Sequence, residues 1–204
     1  MRIFTLNYDL LLYWTVLQRN LSPPAVVMGD GFGRPGGGPL TWSLPGRADE
    51  QQIFYLHGAM HYYVEDKRVR KLGPSNANIV EQLQSNLVAG RYPLVVTEGS
   101  RDDKEARIAR SAYLTYCHRR LARLNGALFI HGVAMSVNDQ HILDAIAGKR
   151  SGIDAIYVGL HGGPSTATDT IRTTVRELAR ARAKSGGRLL RFKFYQSETA
   201  SVWG

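Results

Sequence analysis

Thr5-Leu6-Asn7-Tyr8-Asp9 and Phe54-Tyr55-Leu56-His57-Gly58 are the stretches on which the reading of this chain turns. The first closes a strand predicted from Arg2 to Leu6, and the second closes one predicted from Ile53 to Leu56. Asn and Asp at one strand end, with His-Gly at the next, are polar groups suited to facing each other across the carboxyl edge of a parallel sheet. Open α/β sheets bind their ligands, nucleotides among them, at that edge.

Outward from these two stretches the elements alternate. Leu10 to Gln18 reads as a helix with an apolar face, and residues 22–47 as a Gly/Pro-rich surface loop. Tyr62-Tyr63-Val64 and Val69-Arg70-Lys71-Leu72 read as a hairpin around a charged turn. Ile79, Leu83 and Leu87 have helical spacing, and Pro93 to Thr97 is a strand. From Asp103 to Leu124 a single long helix is expected, because Ala109, Ala112, Tyr113, Tyr116, Cys117, Leu121 and Leu124 form one stripe. A strand at Ala127 to Ile130, a short helix at Asp139 to Ile146 and a strand at Ala155 to Val158 follow. An amphipathic helix from Ser165 to Ala183 and a strand from Leu189 to Phe194 complete the order. Strands alternating with helices predict one α/β domain over 1–204, with a mainly parallel sheet and helices on both faces.

Composition narrows the functional classes. Cys117 is the only cysteine, which rules out an intrachain disulfide and cysteine-based metal sites and suits a reducing, cytoplasmic setting. The uncharged run between Asp9 and Arg19 is too short to span a bilayer, so no membrane partner is expected. The net charge is +9, and between Arg172 and Lys193 eight basic residues face Glu177 alone. Such a helix suits either a solvated outer face or a nucleic-acid backbone. The absence of aromatic residues within it favours the first.

Polar or glycine residues follow five successive predicted strands: Asn7 and Asp9; His57-Gly58; Thr97-Glu98-Gly99-Ser100; His131-Gly132 with Ser136, Asn138 and Asp139; and Gly159 with His161-Gly162-Gly163. Any one of these is an ordinary turn. Together they predict a ligand crevice, with Asn7, His57, Glu98 and Ser136 lining it. Gly29-Asp30-Gly31-Phe32-Gly33-Arg34 is not a phosphate fingerprint, since Arg34-Pro35 stands where the last Gly and the helix belong. Asp30 and Phe32 remain candidates to border a pocket. His57, His61, His131, His141 and His161 lack the clustered spacing of a zinc site, and His118 is expected to be exposed; no metal is expected.

Thr5 to Asp9, Leu56-His57-Gly58 and Gly132-Val133-Ala134-Met135-Ser136-Val137-Asn138-Asp139 resemble prokaryotic sirtuin-like domains. More closely, the chain is similar to a bacterial family catalogued only as a domain of unknown function. Asp30-Gly31-Phe32, Tyr55-Leu56-His57-Gly58-Ala59, Tyr92-Pro93-Leu94-Val95, Glu98-Gly99-Ser100 and Asn138-Asp139-Gln140-His141-Ile142 carry that likeness. The sirtuin-like resemblance implies a Rossmann-like domain that binds NAD as ligand or substrate. It implies cleavage of NAD to nicotinamide and ADP-ribose, in the setting of phage defence. Asn7 and His57 become the catalytic pair, and Asp9, Gly58, Glu98, Gly132, Ser136 and Asp139 the cofactor-binding residues.

The resemblance also sets limits. Such domains carry a strand and a glycine-rich diphosphate cradle before the Asn motif, and this sequence starts at that motif. The expectation is therefore weak turnover and an exposed strand edge that favours self-association, which light scattering measures. The zinc cysteines of deacetylases are absent, which argues against deacetylation. Two alternatives stay open: a non-catalytic Rossmann-like binding or regulatory module, and a nucleic-acid binder using the basic C-terminal region.

Overall fold

The computed structural model describes residues 1–21, 28–46, 51–75, 77–97 and 99–200. They form a mixed α/β protein with parallel and antiparallel sheets. The chain divides into two compact units, Met1–Glu98 with Asp102–Cys117, and Gly99–Arg101 with His118–Gly204.

The first unit begins with β1 (Ile3–Thr5), α1 (Leu11–Leu21), β2 (Phe32–Gly33), β3 (Thr41–Trp42) and β4 (Ile53–Tyr55). It continues with β5 (Gly58–Glu65), β6 (Arg68–Lys71), α2 (Ile79–Val88) and β7 (Pro93–Val95). Most of α3 (Arg101–Ala109) and the first half of α4 (Ala112–Leu121) complete it. β1 pairs in parallel with β4, Ile3 against Ile53 and Thr5 against Tyr55. Among the described residues that is the only pairing of β1. On the far side of β4 the Tyr55 N–H donates to Tyr113 Oη at 3.1 Å, so a side chain from α4 completes the strand's hydrogen bonding.

The remaining strands of this unit form an antiparallel sheet of order β2-β3-β6-β5-β7. This corrects the mainly parallel sheet. His57-Gly58 follows β4 as expected but leads straight into another strand, because Gly58 already pairs with Val95 as the first residue of β5. The turn has a physical cause. Gly58 has φ +75°, and a Cβ there would run into the carbonyl of Leu94, so only glycine lets β5 leave β4 this closely against β7. The β5–β6 hairpin turns on Asp66 and Lys67, both left-handed, with Glu65 opposite Arg68. The glycine loop is also more than surface: it holds β2 and β3, and Trp42 packs edge-on against Tyr113 with ring centroids 5.5 Å apart. Residues 22–27 and 47 of that loop lie outside the described residues.

The predicted long helix is broken in two. Arg110 N–H and Ser111 N–H reach back three residues, to Arg107 and Ile108, which tightens the end of α3. Ser111 Oγ then accepts the Leu114 N–H at 3.3 Å and starts α4. The core beneath is aromatic, with Phe54, Tyr62, Tyr113 and Leu114 sealed from solvent. Gln51 is buried with them: it accepts from Trp42 Nε1 at 3.1 Å and donates to the Ile53 carbonyl at 2.9 Å.

The second unit comprises β8 (Asn125–Ile130), α5 (Gln140–Ala147), β9 (Gly152–Leu160), α6 (Thr166–Lys184) and β10 (Arg191–Gln196). Its sheet is wholly parallel, of order β10-β9-β8, as βαβ connections require. A register shift next to Gly126 puts Ala127 opposite Ala155, leaving Asp154 as the extra residue. Past that point Ile156 and Val158 point into the core and Tyr157 points the other way. Ser165 caps α6 in a capping box with Thr168, a device worth about 1 kcal/mol.

Arg182 departs from the solvated-face reading of the basic helix: it is 1% exposed. Its guanidinium donates to the Ser151 carbonyl at 2.6 Å and the Ile146 carbonyl at 3.5 Å. Arg172 lies over the Phe194 ring, 4.8 Å from its centre, so α6 covers the face of β10 that carries Phe194. Helices on both faces are not what this unit has among its described residues: α5 packs on α6, and the opposite sheet face is open at Phe129, which is 67% exposed.

Candidate functional site

Parallel pairing of β1 with β4 makes their ends emerge together. Leu56 N–H donates to the Thr5 carbonyl at 2.9 Å, and Met60 N–H to the Tyr8 carbonyl at 2.8 Å. Asn7 and His57 lie between these two hydrogen bonds, on adjacent segments. Asn7 is exposed and His57 is 5% exposed. Asp9, the third residue of this motif, is committed to structure: its Oδ1 accepts the Leu11 N–H at 2.9 Å and closes the first turn of α1. Gly58 is likewise explained by the approach of β7.

Glu98 lies outside the described residues. Gly132, Ser136 and Asp139 belong to the second unit, between β8 and α5. Gly132 takes φ +65° with open space around it, and Ser136 accepts the Asp139 N–H through its carbonyl at 3.0 Å. Between them Met135 holds φ +52° while 3% exposed. A buried non-glycine residue in the left-handed region costs on the order of 1 kcal/mol, and such strain collects at ligand loops. The single parallel edge expected from five strand ends is not formed, because β7, which precedes Glu98, belongs to the antiparallel sheet.

Around Asp30 and Phe32, read from the sequence as bordering a pocket, the structure also gathers Lys71 and Tyr13, which that reading did not assign to the site. Lys71 pairs with Asp30 at 2.5 Å and lies over the rings of Tyr13 and Phe32, 5.7 and 5.3 Å from their centres. Burial, then the charge of Asp30, pushes the Tyr13 hydroxyl up from its ordinary range. Burial does the same to Tyr55, reinforced by Asp30 and then Asp9. The glycine loop and the Asn motif thus both bring a carboxylate near the end of β4. No motif marks Tyr13 or Lys71; only the β5–β6 register, with Lys71 opposite Tyr62, places them. Beside Tyr13 a groove of 580 Å³ opens between α1 and the start of α2. Trp14, Leu17, Pro74 and Val80 make it apolar, and none of the predicted site residues lines it.

His61 sits under this cluster, 1% exposed, among the rings of Tyr13, Tyr55 and Tyr62. Among the described residues neither ring nitrogen has a hydrogen-bond partner. Burial, and secondarily Lys71, lowers its pKa from 6.5 to about 3. The fold therefore keeps His61 neutral while the unfolded chain takes up a proton, and between those two values stability falls as pH falls. The expected slope from this group is up to about 1.4 kcal/mol per pH unit. Denaturant midpoints measured from pH 7 to 4 should fall less steeply for His61→Phe than for the wild type. Parallel profiles would clear His61 of the effect. Elsewhere, the expected exposure of His118 is not met: it is half-buried, its ring 5.5 Å from that of buried His141.

These features define a mixed α/β protein with a polar pair at the ends of two parallel strands and a second, strained polar loop in its other unit. Residues 1–203 match a family described as a domain of unknown function (DUF4917), and the chain belongs to that family. No curated protein matches it. Among the described residues no helix is long and apolar enough to cross a membrane.

Proposed function

We propose that the chain is a Rossmann-like nucleotide-binding protein of sirtuin-like type that takes NAD as its ligand and cleaves it to nicotinamide and ADP-ribose. The observation that carries this reading is the placement of Asn7 beside His57 at the carboxyl ends of β1 and β4, where α/β sheets bind ligands. In the reaction the bond from ribose C1′ to the nicotinamide nitrogen breaks, and its electron pair neutralises the pyridinium. Positive charge develops on the ribose, water adds at C1′, and the water's proton leaves to a base. Asn7 is the polar group at the ribose and His57 the base. Ser136 and Asp139, with Gly132, take the adenosine ribose in the same reading. A cytoplasmic setting and a role in phage defence belong to it as well.

One observation favours the runner-up, a non-catalytic binding or regulatory module. The first turn of α1, where a diphosphate would seek backbone N–H groups, already holds the Asp9 carboxylate. Turnover is accordingly expected to be slow. The test is nicotinamide release with excess NAD. Asn7→Ala and His57→Ala are each expected to cut the rate by about a hundredfold, with folding checked by circular dichroism. A folded wild type that releases no nicotinamide, yet binds NAD by calorimetry, would leave the module reading in place.

A further inference from the structure

We infer that the open face of the β8–β9–β10 sheet is a platform for single-stranded nucleic acid. Side chains alternate along strands, so the residues facing away from α6 fall in rows set by the register. One row runs Phe129–Tyr157–Lys193 and the preceding one ends on Arg191. Phe129 and Tyr157 are stacked, with centroids 4.7 Å apart and planes 12° from parallel, yet Phe129 is 67% exposed. One row further toward the carboxyl end, His131 and Tyr195 form a second pair, 21° from parallel and joined at 3.1 Å between Nδ1 and the hydroxyl.

Two residues along a strand advance about 7 Å, so two aromatic pairs offer stacking surfaces to two neighbouring bases. Base–aromatic stacking is how sheet-based readers of single strands hold unpaired bases. The partner's charge is chosen by the rim. Arg191 and Lys193 are exposed on β10, and among the described residues Arg191 has only Asp154, at 4.0 Å, against it. A backbone phosphate beside the base on Phe129 and Tyr157 meets Lys193 at the end of that row, with Arg191 one row before it. This reading is independent of NAD chemistry and differs from a basic-helix site, because α6 lies on the opposite side of β10.

The test is fluorescence anisotropy with a labelled oligo-deoxythymidylate about 12 nucleotides long, titrated from about 50 to 200 mM salt. The wild type is expected to bind with a negative salt slope. Phe129→Ala, which removes an exposed ring, is expected to lose about tenfold in affinity, and Phe129→Trp to keep it. Lys193→Gln is expected to reduce the salt slope by about one, and Arg180→Gln on α6 to leave it unchanged. No binding at the lowest salt, or equal binding by Phe129→Ala, overturns the inference. So does a larger loss from Arg180→Gln than from Lys193→Gln, which would move the polyanion surface to α6. A protein dimer that Phe129→Ala dissolves and the oligonucleotide does not would show that the face is occupied by protein.

Discussion

Gly58→Ala is expected to abolish the stable fold of the first unit. Two effects add at this position. With φ +75° an L side chain is strained before any contact is made, and the added methyl meets the Leu94 carbonyl, which is backbone and has no rotamer to escape into. Relief requires β7 to move away from β5, which breaks the Gly58–Val95 and Ala59–Leu94 pairing and exposes buried Ala59. The expected loss is about 4 kcal/mol or more, the range reserved for strain and clash together. Gly132→Ala is the control: its φ is +65°, but a Cβ there meets nothing within 4 Å. It should cost only about 1 kcal/mol. Urea unfolding followed by circular dichroism distinguishes the two, and equal losses would refute the role given to the Leu94 carbonyl.

Arg182→Ala is expected to be the most damaging change in the second unit. The guanidinium is sealed from solvent, and its pKa is lowered from the usual arginine value, first by that burial and then by Arg188. Its hydrogen bonds satisfy the carbonyls at the end of α5 and the entrance of β9. Truncation leaves those acceptors unpaired and a cavity beneath α6. Together these give an expected loss of about 3 kcal/mol. Arg182→Met fills most of the volume and removes a costly buried charge, so about 1 kcal/mol is expected from it. A Met variant as unstable as the Ala variant would show that the hydrogen bonds, not the filling, dominate. Near-wild-type stability in both would show that the guanidinium is dispensable.

The second unit was far more legible in the sequence than the first. Ala127 to Ile130, Ala155 to Val158 and the Ser165-capped helix are local patterns, and local pairing of β8, β9 and β10 needs nothing else. Arg182 was lost in a run of exposed arginines because charge alone does not reveal which side of a helix is covered. In the first unit the strands β2 and β3 are two residues each, too short to show alternation. What fixes them is contact with residues distant in sequence, such as Trp42 against Tyr113. The same holds for the site. The placement of Asn7 and His57 on the ends of adjacent strands was legible because strand ends are local. The Asp30–Lys71 pair joins positions that only the hairpin register brings together, and unpartnered His61 lacks any motif. Gly58 was legible as an important glycine but not as a structural one, since Leu94 approaches from a strand that had been placed in a different kind of sheet.

The lone thiol offers a clock for the first unit. Cys117 is sealed from solvent, touches Gln51 Nε2 at 3.9 Å, and burial pushes its pKa from 9.0 up to about 12. In the closed state it presents almost no thiolate to an alkylating reagent. Labelling must therefore wait for α4 to lift from the ring cluster, and its rate counts those openings. Any small molecule that grips the closed unit should slow the count in proportion to its occupancy. A single mass measurement over time thus reports ligand binding without a chromophore, a catalytic turnover or an engineered probe.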